Sequence, residues 1–140
     1  MLTRKFGDTI ALRLLPGEDV VECVKNTASE YKIRLGVVTG IGAADCAEFG
    51  IYSVDEKKYY SNKIECEAEI TSLVGNITVS ENGDPYIHLH VNLGLKDGSV
   101  VGGHLNKCVI CATSEIFIRV LDGEITRIKD DYTGLNVLDI

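Results

Sequence analysis

Several features are missing from this sequence, and each absence narrows what the chain can be. No uninterrupted apolar run approaches the roughly 20 residues that a membrane-spanning helix needs, so no membrane span is expected. Met1 to Asp8 carries Arg4 and Lys5 with no apolar stretch behind them, which does not read as a secretion signal; a cytoplasmic protein is the expectation. Basic clusters are missing too. The 14 Lys and Arg residues never run longer than two, at Arg4-Lys5 and Lys57-Lys58, and the net charge is −7. Duplex binding draws much of its affinity from clustered cations set against phosphate, so the charge argues against DNA as a partner.

Cysteine lacks any disulfide rhythm. The five residues, Cys23, Cys46, Cys66, Cys108 and Cys111, are odd in number and scattered, which favours free thiols in a reducing compartment. There is no Gly-x-Ser-x-Gly elbow and no P-loop, and Gly40-Ile41-Gly42 is too short for a dinucleotide fingerprint and has no helix pattern behind it. Internal repeats, low-complexity tracts and linkers are absent, so one domain over residues 1–140 is expected. What remains, 45% hydrophobic and 25% charged, has the balance of a folded domain. A chain of this length buries a core without metal staples, so any metal would serve function or assembly.

Along the chain, Phe6 to Leu15 reads as a strand stopped by Pro16-Gly17. From Gly17 to Lys32 the recurrence of Val20, Val24, Ala28 and Tyr31, with Glu18 and Asp19 at the positive end of the dipole, predicts one amphipathic helix. Leu35 to Val38 and Ala44 to Val54 read as separate strands around a bend, a bulge or a close backbone approach at Gly40-Ile41-Gly42. Lys63 to Ser80 is β-like, with Glu65, Glu67 and Glu69 alternating onto a solvated face. Thr113 to Leu121, Ile125 to Ile128 and Leu135 to Ile140 add further strands. The expected class is α+β: a mostly antiparallel, curled sheet of about seven strands with one main helix packed on it.

All three histidines fall between Pro85 and Val109. Along Tyr86 to Leu93 the side chains alternate, with Ile87, Leu89, Val91 and Leu93 on one face and Tyr86, His88, His90 and Asn92 on the other. Two histidines at i and i+2 stand roughly 7 Å apart and can reach one ion. The chain turns at Lys96-Asp97-Gly98 and returns through Gly102-Gly103-His104. A three-residue loop there pairs His90 with His104 and brings all three imidazoles to one face. A two-residue turn would send His104 to the other side unless a bulge at Gly102-Gly103 resets the phase.

Three imidazoles with a fourth position open is a ligand set for a divalent metal, zinc first, though nickel, cobalt and iron also suit imidazole. The bland alternative is a semi-buried polar pocket in which the histidines simply hydrogen-bond. Candidates for orienting the imidazoles from behind are Tyr86, Asn92 and Glu115. Cys108-Val109-Ile110-Cys111 is a weaker signal, since residues i and i+3 of a strand face opposite sides.

The ordered set P-Y-I-H-L-H-V-N-L (Pro85 to Leu93), G-G-H-L (Gly102 to Leu105) and T-S-E-I (Thr113 to Ile116) resembles the plants-and-prokaryotes conserved domain, also called the PPC domain. Gly36 to Ala43 and Pro16 to Asp19 match it in order upstream. The resemblance implies an α+β domain assembled as a homotrimer, with metal ligands at His88, His90 and His104. In plants the domain follows AT-hook motifs and mediates self-association and contacts with transcription factors; stand-alone prokaryotic members carry a DNA-binding label by that association. No Arg-Gly-Arg-Pro core occurs in these 140 residues. Two functions are therefore in view. One is a homotrimeric metal-binding module that contacts a small molecule or a protein partner. The other is a hydrolase-type enzyme using water on a three-histidine ion.

Overall fold

One strand runs through most of the architecture. In the computed structural model, which describes residues 1–140, strand β7 spans Val100–Val120 and is hydrogen-bonded to three other strands along its length. The remaining elements are β1 (Leu2–Phe6), β2 (Thr9–Leu14), helix α1 (Val20–Glu30), β3 (Gly36–Ser53), β4 (Lys58–Ile64), β5 (Ala68–Val79), β6 (Pro85–Gly94), β8 (Arg127–Lys129) and β9 (Asn136–Leu138). Seven strands form an antiparallel sheet in the order β1-β2-β7-β6-β5-β3-β4, and β8 pairs with β9 alone. Because β7 also pairs with β3, the ring β3-β5-β6-β7 closes on itself. Closure leaves those strands without a free edge.

The α+β class is corrected. The chain is 61% strand and 8% helical, a mainly β fold carrying one short helix. The physical reason lies in β3 and β7. The stretches around Gly40-Ile41-Gly42 are one 18-residue strand whose pairing slips between Gly40 and Gly42. A Cβ at Gly42 would lie 2.6 Å from the Thr113 carbonyl oxygen, so the glycine marks a close backbone approach as well as a bulge. Likewise the stretch read as Thr113 to Leu121 is, up to Val120, the far end of a 21-residue strand that already contains His104. Helical periodicity, in contrast, fades early: the helix covers 11 residues, from its cap at Asp19 to Tyr31.

Asp19 does two jobs. One carboxylate oxygen accepts from the Glu22 amide at 2.9 Å and caps the helix; the other accepts from the Cys108 amide at 2.9 Å and ties the helix start to β7. Val20, Cys23, Val24, Thr27 and Ala28 then face inward, and the helix lies against β6 and β7. They join a cluster of 24 buried residues that includes Leu73, Leu89, Leu93, Ile116 and Ile118. Each such large side chain contributes about 1.5–3 kcal/mol by leaving water. With its inner face in this core, β6 presents its other face outward.

The expected row of three glutamates is not one strand face. Glu65 and Glu67 fall in the connection between β4 and β5, and only Glu69 is in β5. A hairpin absent from the sequence reading, β1 with β2, opens the chain, its turn made at Gly7-Asp8. No helix is long and apolar enough to cross a membrane.

Candidate metal centre

Alternation on β6 sends Leu89, Val91 and Leu93 into the core and turns His88, His90 and Asn92 away from it. The turn fixes the third histidine. The Leu95 amide bonds to the Ser99 carbonyl at 2.8 Å and the Gly98 amide to the Leu95 carbonyl at 2.9 Å, closing a loop of Lys96, Asp97 and Gly98. Asp97 Oδ1 braces it by accepting from the Ser99 amide and hydroxyl. From that loop the register runs Gly94 to Val100, Leu93 to Val101, and so to His90 opposite His104. Directly opposed residues share a face, so His104 joins His88 and His90.

Gly102-Gly103 serves spacing rather than phase. At Gly102 a Cβ would lie 2.1 Å from the Val91 carbonyl oxygen, and at Gly103 it would lie 2.4 Å from that of Gly50. The pair lets β7 pass between β6 and β3 at the point where the ring closes, immediately before His104.

The ligand atoms of His88, His90 and His104 lie within 4.8 Å of one another. Ring centroids are 5.2 Å apart for His88 and His90, 5.1 Å for His88 and His104, and 5.5 Å for His90 and His104. No protein group hydrogen-bonds any of the three imidazoles. His88 is held neutral, its pKa brought down to about 4 by burial and then by His104, Arg127 and His90; burial and His90 lower that of His104. Imidazole nitrogens converging in this way, with no hydrogen bond to a protein group, fit a divalent cation.

The cluster opens into a cavity of about 550 Å3. Tyr59 forms one wall: its hydroxyl donates to the His104 carbonyl at 3.2 Å, accepts from Asn106 Nδ2 at 2.7 Å, and its ring meets His104 edge-on. Opposite stands Arg127, 7% exposed, with its guanidinium 4.7 Å above the Tyr86 ring. The guanidinium donates to Thr78 Oγ1 at 3.0 Å, the Asn136 carbonyl at 3.0 Å and Asn76 Oδ1 at 2.7 Å.

The three orienting candidates part company here. Tyr86 lines the cavity; Asn92 is exposed beyond His90 on the same face; neither hydrogen-bonds an imidazole. Glu115 sits at the far end of β7, exposed, opposite Arg13 and Ile41, and does not reach the centre. Arg127, Tyr59 and Asn106 are the cavity residues that sequence reasoning missed. Asn106 was within reach, since it follows His104 by one strand period; Tyr59 and Arg127 carry no local signal and arrive only through tertiary folding. The Cys108 and Cys111 thiols stand apart on β7, free, with burial pushing Cys108 up to about 12 and raising Cys111 as well.

Comparison with known proteins now places the chain. Residues 1–122 match the Plants and Prokaryotes Conserved (PCC) domain. The chain belongs to that family. A metal-containing protein from Archaeoglobus fulgidus is 33% identical, with 100% of this chain and 99% of that one aligned at a TM-score of 0.89. A plant- and prokaryote-conserved protein from Pyrococcus horikoshii is 27% identical over 99% and 95% of the two chains, TM-score 0.86. A candidate DNA-binding protein from Bacteroides thetaiotaomicron is 27% identical over 99% and 96%, TM-score 0.94. The chain is also similar to the bifunctional protein GlmU of Synechococcus sp. (strain JA-3-3Ab), 29% identical over 132 residues, which are 92% of this chain and 20% of that protein. The chain thus spans about one fifth of the length of that curated relative.

Proposed function

We propose that this PCC-domain protein is a homotrimeric module that holds one divalent metal ion, zinc in the first instance, on His88, His90 and His104. The observation that carries the reading is the convergence of three imidazoles with no hydrogen-bond partner of their own. His88 and His104 are half-buried and His90 is exposed, and an ion would supply one shared partner to all three at once. The metal content of the Archaeoglobus fulgidus relative supports the same reading. Bound there, the ion would keep a fourth position facing the cavity, for water or for a ligand atom.

A binding role is favoured over hydrolysis. Hydrolysis on such an ion calls for a general base within hydrogen-bond reach of the attacking water. The cavity wall contains no Asp or Glu, and Glu115 is remote. Self-association finds support on the outer face of the sheet. There Val74 and Phe117 both pair with Thr39 and are each 49% exposed, beside Val37 and Ile41 at 41% and 57%. An apolar strip of this kind is suited to contact with further copies of the chain. DNA binding at physiological salt is not part of the proposal, because the net charge of −7 repels phosphate.

Elemental analysis of protein purified without chelator tests the metal: about one divalent ion per chain is expected. No ion as purified, together with no uptake by the apoprotein, rejects it. Light scattering tests assembly. A trimer that Phe117→Asp dissociates is expected, whereas a monomeric wild type rejects the module as drawn.

A further inference from the structure

The chain carries 21 acidic residues, yet none lines the cavity above the histidines. Its one permanent charge is the Arg127 guanidinium, buried and outside every ion pair in the molecule. A buried cation without a carboxylate is costly unless something compensates it. Three of its five N–H groups donate to Thr78, Asn136 and Asn76, all neutral acceptors, and the Tyr86 ring face lies 4.7 Å from the guanidinium, which leaves two N–H groups without a protein acceptor and no anion against the charge. The rest of the wall is largely apolar or aromatic, with Ile51, Tyr52, Tyr86 and Leu135 among its residues. A volume of about 550 Å3 exceeds what a bare inorganic oxyanion fills and falls in the range of small-molecule sites.

We propose that the cavity binds a small organic carboxylate, one end of it set between the three-histidine centre and Arg127 and its carbon body against Ile51, Leu135 and the tyrosines. This rests on the metal reading, since the ion would provide the second positive point. Guanidinium and carboxylate match as planar groups, which favours this class over a neutral or cationic ligand. The apolar wall favours it over phosphate.

The residues that make the difference, Arg127, Leu135 and Asn136, lie beyond residue 122, where the match to the PCC domain stops. They belong to the β8–β9 hairpin and its connection, held over the centre by the Arg127 bonds to β5, by the Val79 amide to the Ile125 carbonyl at 3.1 Å, and by the Tyr52 hydroxyl to the Thr133 carbonyl at 3.0 Å. The histidines thus come from the part of the chain that the family profile covers, and ligand choice comes from the hairpin that follows it.

The competing role for Arg127 is that of a clasp holding the hairpin to β5. Calorimetric titration of the zinc-loaded protein with benzoate, benzyl alcohol, benzylamine and inorganic phosphate separates the two. Benzoate is expected to bind at least 10-fold more tightly than each of the others, and Arg127→Gln is expected to erase that preference while retaining zinc. Zinc bound but benzoate no better than benzyl alcohol or phosphate overturns this inference and leaves the metal reading standing. Zinc-replete Arg127→Gln that keeps the full benzoate preference assigns the residue to the clasp and also overturns it. Failure to take up zinc overturns both readings. Should Arg127→Gln not fold, the wild-type comparison decides alone.

Discussion

Two hollows flank β7, and they contrast in almost every respect that matters to a ligand. One, of about 550 Å3, sits over His88, His90 and His104, holds Arg127 and has no carboxylate. The other is larger, about 1060 Å3, and is lined by Cys66, Glu67, Glu69, Asp97 and Cys111 among others. By residue type the larger hollow is at least as suitable for a metal, since thiolates and carboxylates are good ligands. No three ligand atoms converge there, whereas three do over the histidines. The lesson concerns register. Directly opposed positions on β6 and β7 put ligands on one face, while Cys66 and Glu67 lie in a connection that no ladder registers and Cys111 sits further along β7, past the stretch paired with β6.

The contrast can be broken most sharply by removing a ligand from each side. His104→Ala is expected to lower zinc affinity by more than about 100-fold, because losing even an outer partner of a ligand costs about 10–100-fold. Cys66→Ser combined with Cys111→Ser is expected to leave affinity unchanged. Titration against a chromophoric chelator reads both. A drop in the double cysteine variant would move the site to the wrong hollow.

The strand spacing beside His104 is the next lever. Gly102→Ala would drive a methyl group into the Val91 carbonyl, and overpacking of this kind costs about 1–3 kcal/mol. Urea unfolding measures the loss, and zinc affinity should fall with it because His104 shifts. A variant as stable as wild type would show that the closed ring is looser than described.

Acid provides a gentler test. The His88 pKa is about 4 in the fold against about 6.5 for a free imidazole, and that of His104 is lowered too. Between those limits the unfolded chain binds more protons, so stability of the metal-free protein is full above pH 6.5 and declines as pH falls toward 4. The thiols, raised rather than lowered, stay protonated throughout this window. Melting temperatures of the metal-free protein at pH 7.5, 5.5 and 4.5 should therefore fall in that order, and His88→Gln should flatten the slope. The same depression carries zinc release below pH 6, where free imidazoles would already have protonated. An unchanged slope in His88→Gln would remove His88 as the cause.

Much of the site was legible because it depends on local rules. The period of two along β6 and the length of the Lys96–Gly98 loop are enough to state which register unites the histidines, and that register is observed. Class was misjudged for the opposite reason: Gly40, Gly42, Gly102 and Gly103 look like breaks in a sequence, yet inside a closing sheet they are where strands slip or pass close without ending. Glu115 does not reach the centre because Thr113 to Val120, read as a separate strand, continues the strand that holds His104 and carries Glu115 away from it. Arg127 was invisible. It occupies a three-residue strand that carries no period, and only the hairpin's fold over the cavity gives it meaning.

The most direct test of the account is X-ray absorption spectroscopy at the zinc edge of the loaded protein. Three imidazole nitrogens at about 2.0–2.1 Å, with one further light atom and no sulfur, is the predicted shell. Sulfur at about 2.3 Å, or fewer than three imidazoles, would contradict the assignment of the ion to His88, His90 and His104.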